Sequence, residues 1–387
     1  MSAHPDWTFA FAESVGSIDA LEWDRCAGSK NPFVSHAFLS ALEDSGCVGE
    51  ASGWLPSPAL LRSQKGELLA AAPSYIKLHS QGEYIFDYHW ADAYHRFHPK
   101  DSYYPKLQVA VPFSPVPGPR LLVSPGTHLK EARLALLTGL QEHVLSRELS
   151  SVHMTFCREE EALIAHSESD YLLRTGEQYH WFNDGYNSFE DFLSALTSRK
   201  RKNIRKERAK AHSHGLTLRT IRGDELSDFQ CLSFYRLYEN TCLRKWGSPY
   251  LNLDFFRLLA KRLGPKLVVM LAQDGEGRYV AGAWNLQGED TLFGRNWGSF
   301  QHYDMLHFEV CYYRAIEYAI DQGLAKVEAG AQGTHKIQRG YRPRAVYSAH
   351  YLRSPEFARA VEEYLHSERQ ETDYRLRALT RLEPFKG

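Results

Sequence analysis

The stretch Pro32-Phe-Val-Ser-His-Ala-Phe-Leu-Ser-Ala-Leu42 returns in the second half of the chain as Pro249-Tyr-Leu-Asn-Leu-Asp-Phe-Phe-Arg-Leu-Leu259. Both open on proline and an aromatic residue and share Phe and Leu positions downstream. In the first copy Ser35 is placed to cap a helix, and Phe38, Leu39 and Leu42 recur at helical spacing, which predicts a short amphipathic helix. Each copy is followed by the same triplet, Gln81-Gly82-Glu83 and Gln287-Gly288-Glu289, read as a hairpin turn. Residues 68–78 are the strand expected to enter the first hairpin and Tyr84-Ile-Phe-Asp-Tyr-His-Trp90 the strand expected to leave it. In the second copy residues 291–297 leave the turn and also end on tryptophan. A long helix and a strand then follow in each half: Thr127 as cap, Leu134, Leu137, Leu140 and Val144 on one face and a strand over 152–157; Asp304 as cap, Val310, Tyr313, Ile316 and Ile320 on one face, Gly323 beyond its end and a strand over 326–329. Two anchors in one order mark an internal repeat. The pattern predicts an α/β chain with a mixed, α+β-type sheet, built from two copies of one unit that meet at residues 180–185, giving domains 1–184 and 185–387.

A chain of 387 residues exceeds what one hydrophobic core ordinarily organises, and 43% hydrophobic with 13% aromatic residues is enough to fill two. No apolar run reaches the roughly 18 residues that a bilayer span requires. The start, Met-Ser-Ala-His-Pro-Asp-Trp, lacks a basic region followed by an apolar one, so a soluble, cytoplasmic protein is expected. Cys26, Cys47, Cys157, Cys231, Cys242 and Cys311 form no CxxC pair, which predicts buried small hydrophobes rather than a disulfide framework or thiolate zinc site. With 46 basic against 47 acidic residues, anion binding has to be local.

One such locality is the run over 199–210, where eight of twelve residues are Lys or Arg and only Glu207 is acidic. Ser188, with Asp191 three residues on, is the expected start of a helix that is apolar at Phe192, Leu193 and Leu196, turns basic from Arg199 and ends near Gly215. Like charges one turn apart repel, so an anionic partner relieves the helix; the plainer alternative is a solvated face. No aromatic residue interrupts the run, which points to phosphate or carboxylate rather than stacked bases.

A second locality is Glu328-Ala-Gly-Ala-Gln-Gly-Thr-His-Lys-Ile-Gln-Arg-Gly-Tyr-Arg-Pro343. It joins three glycines to two groups able to move protons, Glu328 and His335, and to the cations Lys336, Arg339 and Arg342, with Arg344 just beyond. Glycine lets the backbone approach a ligand, and cations in a strand-to-loop concavity hold carboxylate or phosphate. The alternative is a Gly-rich turn carrying solvated charges.

Helix, hairpin, helix and strand in this order resemble the core of the GNAT acyltransferase superfamily, and two copies in tandem resemble the Fem-type aminoacyltransferases. More closely, Asn31-Pro-Phe-Val-Ser-His-Ala-Phe-Leu-Ser-Ala-Leu-Glu43, Tyr103-Tyr-Pro-Lys-Leu-Gln-Val-Ala-Val-Pro-Phe-Ser-Pro-Val116, Gly330-Ala-Gln-Gly333, His335-Lys336-Ile337, Arg339-Gly340-Tyr341 and Tyr347-Ser-Ala-His350 look like the bacterial FemAB-like family of N-acyltransferases of peptidoglycan biosynthesis or recognition. The resemblance implies two tandem GNAT-like acyltransferase domains. It also implies a donor that is acyl-CoA, acyl-carrier protein or aminoacyl-tRNA, with no tightly bound cofactor. Where GNAT enzymes carry a [Q/R]-x-x-G-x-[G/A] phosphate loop, this chain has Arg295-Asn-Trp-Gly298-Ser-Phe300, which keeps Arg and the first Gly but ends on Phe. The basic helix suits a tRNA donor.

Direct amide formation requires a deprotonated amine, a polarised carbonyl and both held together. Glu328 and His335 are the first candidate bases, Asp87 and Asp92 the next, and Lys336 completes the catalytic candidates. Expected substrate contacts are His89, Trp90, Arg295, Asn296, Trp297, Gly330, Gln332, Gly333, Arg339, Gly340, Arg199, Lys202 and Lys206. The Gly330–Arg342 segment and the aromatic stretch 88–97 are expected to border one cleft. His89, His95 and His98 follow no familiar ligand spacing, so no metal is expected. The expected partners are a small-molecule amine acceptor, with tRNA or acyl-carrier protein as donor carrier, and peripheral contact with an anionic membrane surface. The main reading is an N-acyltransferase acting on a cell-envelope precursor. Its rival, a non-catalytic module binding an anionic glycan precursor or nucleic acid, is favoured by Phe300, whereas Glu328 beside His335 favours the enzyme.

Overall fold

In the computed structural model, which describes residues 6–245, 247–330 and 333–386, Pro73 splits the apolar run 68–78 into two strands that join different sheets. Its ring removes a ladder donor, so the chain changes sheet there. In chain order the elements are β1 (Trp7–Phe11), α1 (Ala20–Ala27), α2 (His36–Asp44), β2 (Trp54–Pro56), β3 (Ala59–Ser63), β4 (Leu68–Ala72), β5 (Ser74–Lys77), α3 (Tyr88–Phe97), β6 (Lys106–Val109), β7 (Leu122–Val123), α4 (Leu129–Ser146), β8 (Ser151–Cys157), α5 (Glu159–Glu168) and β9 (Leu172–Phe182). There follow α6 (Phe189–Ala195), α7 (Ser198–His212), β10 (Thr217–Arg222), α8 (Asp228–Lys245), α9 (Leu253–Leu263), β11 (Leu267–Gln273), β12 (Tyr279–Gln287), β13 (Thr291–Ser299), α10 (Leu306–Phe308), α11 (Arg314–Asp321), β14 (Lys326–Glu328), β15 (Arg342–Leu352) and α12 (Pro355–Thr380).

These elements form two compact units that are not consecutive halves: residues 1–176 with 345–374, and residues 177–344 with 375–387. The chain passes between them inside β9, inside β15 and inside α12, so the 180–185 junction falls within the second unit. The first unit holds an antiparallel sheet in the order β1-β3-β4-β7 and a mixed run β15-β8-β6-β5-β2, in which β6 and β8 are parallel. Leu136, Leu137, Leu140 and Val144 of α4 are buried with Leu107, Val109, Val152 and Met154 of the strands. A smaller core joins Trp90 and Tyr94 of α3 to Phe357, Val361 and Leu365 of α12. In the second unit the order is β10-β11-β12-β13-β14-β9, antiparallel except between β13 and β14. Its core packs Val310, Ile316 and Ile320 against Met270, Ala283, Leu292 and Val327.

The repeated helices are real and sit in register with their prolines. Ser35 caps α2 through the Phe38 amide and Asn252 caps α9 through that of Phe255, each cap three residues after the proline. Gln287-Gly288 does turn β12 into β13. The counterpart at Gln81 does not lead into a strand: residues 88–97 form α3 instead. Aromatics at 84, 86, 88 and 90 imitate strand alternation, but Trp90 and Tyr94, one helical turn apart, are the pair buried together. The first long helix begins after His128 rather than Thr127, and the second follows Met305 rather than Asp304 and carries one π-helical segment, Glu309–Tyr313. The basic helix is not continuous. Leu196 adopts an extended conformation and divides α6 from α7, and the Thr197 amide is taken by the Pro384 carbonyl.

Candidate functional site

Lys336 is the residue around which the second unit's candidate site is built. It lies in a 3-10 segment, Thr334–Arg339, that the glycines make possible. Gly333 has φ +114° and a Cβ there would come within 2.4 Å of the His335 ring; Gly340 has φ +87° and its Cβ would meet the Phe192 ring at 2.7 Å. The turn carries the Lys336 amine inward until only 2% of the residue is exposed. There Nζ donates to the Ala329 carbonyl at 2.6 Å and the Gly330 carbonyl at 2.9 Å, just past the end of β14. Burial without a carboxylate partner lowers its pKa to about 7.

Aromatic rings surround it. His335 meets the Tyr312 hydroxyl through Nε2 at 3.1 Å, and His307 packs against both Trp297 and Tyr312. Burial, then the charges of Arg339 and Lys336, lower the His335 pKa, so its ring stays neutral at neutral pH. Arg339 is not free to grip a ligand: its guanidinium binds both oxygens of Glu207 at 3.1 and 2.9 Å and stacks on Phe308. Glu328, 4% exposed, accepts from Lys326 at 2.6 Å through Oε1 while its buried Oε2 has no partner among the described residues. Gln332 lies outside the described residues.

The strand beside this loop opens. β13 pairs with β14 only from Thr291 to Phe293, opposite Lys326 to Glu328, and from Gly294 to Ser299 it is registered on β12 alone, with Arg295 as the bulged residue. Arg295, Asn296, Trp297 and Gly298 are therefore strand residues rather than a phosphate loop. Gly298 is needed for packing, since a Cβ there would lie 2.3 Å from the backbone of Leu237 and Tyr238 in α8. Of the basic residues on α7, Arg199, Lys202 and Lys206 are exposed. Arg208 is instead bound to Glu309 and Glu317.

The first unit contains a buried ionic cluster that sequence reasoning located only in part. Lys106 binds Glu83 at 2.9 Å and Asp87 more closely still. Asp87 also accepts from the hydroxyls of Tyr103 at 3.0 Å and Tyr104 at 2.9 Å. Burial disfavours its charge, but the charge and hydrogen bond of Lys106, with His153 and the Ser80 hydrogen bond, together hold the carboxyl well below the usual range. A carboxylate so held is a weak proton acceptor. Asp92 and His89 are solvent-exposed on α3, and Trp90 is buried against His350 and under Arg174. His98 bonds to Ser354; among the described residues no group of three or more His, Cys, Asp or Glu is arranged to hold a metal. His153, His350 and Lys106 were not singled out for a role, although two of the quoted family segments, 103–116 and 347–350, contain Lys106 and His350.

Among solved structures, FemX is similar over 89% of this chain and 98% of its own at 12% identity, with a TM-score of 0.54. The C-terminal domain of an Agrobacterium fabrum protein assigned as a lysylphosphatidylglycerol synthetase is similar over 90% and 96% at 9% identity, with a TM-score of 0.53. A tandem GNAT protein from clavulanic acid biosynthesis aligns over 90% and 99% at 11% identity, with a TM-score of 0.47. The fold is thus a mixed α/β architecture shared with FemX and with that synthetase domain. No curated protein matches in sequence. The FemAB-like family model, described as peptidoglycan biosynthesis/recognition, matches residues 14–387, and the chain belongs to that family. No described helix is long and apolar enough to cross a membrane.

Proposed function

We propose that the chain is an N-acyltransferase that moves an aminoacyl group from aminoacyl-tRNA directly onto an amine of a cell-envelope precursor, with Lys336 as the proton acceptor. The observation that carries the reading is the buried Lys336 amine with its pKa at about 7 and no carboxylate beside it. A lysine in that state is uncharged in a useful fraction of molecules at neutral pH, which is the condition for a general base. In the step, the acceptor nitrogen attacks the acyl carbonyl, the new C–N bond forms, the proton shed by nitrogen goes to Nζ, and the ester C–O bond breaks as Nζ passes that proton to the ribose oxygen, which leaves as the hydroxyl. The two carbonyls that hold Nζ stabilise the ammonium once it forms.

Two features favour aminoacyl-tRNA over acyl-CoA as donor. The segment matching the GNAT phosphate loop lies largely within β13 and packs Gly298 on α8, so it is not a glycine turn at a helix N-terminus of the kind that cradles a pyrophosphate. The exposed face of α7 presents Arg199, Lys202 and Lys206 to a polyanion. The test is transfer from labelled aminoacyl-tRNA and, separately, labelled acyl-CoA to an amine-bearing peptidoglycan precursor by the full chain. Transfer from aminoacyl-tRNA, with kcat/KM rising to a plateau above about pH 7 that Lys336→Met removes, is the expected result. Transfer from acyl-CoA alone overturns the donor, and an unchanged pH profile in the variant overturns the base.

A further inference from the structure

The buried cluster of the first unit leaves three polar atoms without a partner among the described residues, and a proton inventory shows what they want. The Ser150 hydroxyl gives its hydrogen to the Tyr103 carbonyl, so in the 3.0 Å contact between Ser150 and Ser151 it is Ser151 that donates. The Tyr103 hydroxyl gives its hydrogen to Asp87, a carboxylate that only accepts. Both hydroxyls also lie against His153 Nε2, at 2.8 Å from Ser151 and 2.9 Å from Tyr103, and neither has a hydrogen left for it. Nε2 of His153 therefore carries the proton. Burial keeps both histidines uncharged, so Nδ1 of His153 is bare and must receive its 2.6 Å bond from Nδ1–H of His350. That leaves Nε2 of His350 a lone pair, buried and unpartnered.

The other two orphans are also acceptors. Glu83 spends Oε2 on Lys106 and Ser80, and Oε1 has no partner. Gln108 donates through Nε2 to Thr155 at 2.9 Å, and Oε1 has no partner. Glu83, Gln108 and His350 are 3%, 0% and 2% exposed and line one narrow recess. Charge points the same way. Glu83 and Asp87 share the buried amine of Lys106, while Arg174 is committed to both oxygens of Glu368. Lys77, lowered to about 7 by burial, turns its amine to the Gln81 carbonyl and offsets the remaining negative charge only in part.

We propose that this recess is a binding subsite for a primary ammonium group, whose three N–H donors match the three open acceptors Glu83 Oε1, Gln108 Oε1 and His350 Nε2. The recess as it stands is closed, and the partly buried Ile85 is one of its lining side chains. The subsite is independent of the transferase reading, because nothing in it uses the Lys336 loop.

The test is calorimetric titration of the full chain with methylammonium chloride and, as a control of equal charge without N–H donors, tetramethylammonium chloride. Methylammonium should bind at least tenfold more tightly. Glu83→Gln should weaken it a further tenfold or more. Because that variant disturbs Lys106 and can fail to fold, Ile85→Trp, which fills the mouth without touching an ion pair, should abolish binding as well. Equal affinity for the two cations, wild-type binding by Ile85→Trp, or a crystal grown in methylammonium with only an ordered water on the three acceptors, overturns the proposal.

Discussion

Lys106 and Lys336 are buried equally deeply, one in each unit, and behave as opposites. Lys106 sits between two carboxylates, and although burial opposes its charge, Glu83 and Asp87 more than compensate and raise its pKa. Lys336 sits between two carbonyls, which offer dipoles but no charge, and burial wins. The difference shows that depth alone does not make a lysine reactive. What decides is whether a carboxylate has been supplied with it.

The comparison is broken most severely at Lys106. Lys106→Met leaves two carboxylates buried without their counterion and should cost about 3–5 kcal/mol of stability in chemical denaturation; a loss under about 1 kcal/mol would mean that the cluster is not held by charge. Lys336→Met removes an amine whose charge burial disfavours and should not destabilise the chain, while lowering kcat/KM by about 10²–10⁴, the usual worth of a general base. Matching losses in both assays would make Lys336 structural.

A smaller effect sharpens the contrast through pH. The folded pKa of Lys336, about 7, lies below the ordinary lysine value of about 10.4. Between those limits the unfolded chain binds the extra proton, so stability should rise with pH across that window and its slope should fall in Lys336→Met. Below about pH 7 both states are protonated and the slope contribution vanishes. Thermal or denaturant unfolding from pH 6 to 10 on the two proteins reads this directly; a wild-type slope that survives the substitution assigns it to another group. The smallest effect concerns α7. Neutralising Arg199 and Lys202 should flatten the salt dependence of tRNA binding by roughly 0.7–0.9 per contact in log Kd against log salt. Fluorescence titration at several salt concentrations measures it, and an unchanged slope means that the helix face is merely solvated.

Much of this was legible in the chain itself. The proline, cap and helix at residues 32–44 and again at 249–263, the Gln287 hairpin and the strands after each long helix follow from local chemistry, which is why they could be read without tertiary context. Residues 84–90 could not, because alternating aromatics satisfy a strand and a helix equally until burial chooses Trp90 and Tyr94. The Lys336 loop was found by its glycines and cations. Its inward-facing amine was not, since nothing in Thr-His-Lys-Ile says which side chain a 3-10 turn will bury. Nor could the pairing of His153 with His350 be read, because the two are 197 positions apart and meet only across β8 and β15.

The interruption of the first unit by the second has a consequence for synthesis. A ribosome delivers residues 177–344 before residues 345–374, which supply β15 beside β8 and the Phe357, Val361 and Leu365 face that covers Trp90 and Tyr94. The first unit is begun first and finished after the bulk of the second has emerged, so during translation its half-built sheet and the Trp90 core wait exposed. A fragment ending at residue 184 reproduces that waiting state permanently. It should therefore aggregate where the full chain does not, and a co-expressed segment spanning 345–374 is the natural means of rescuing it.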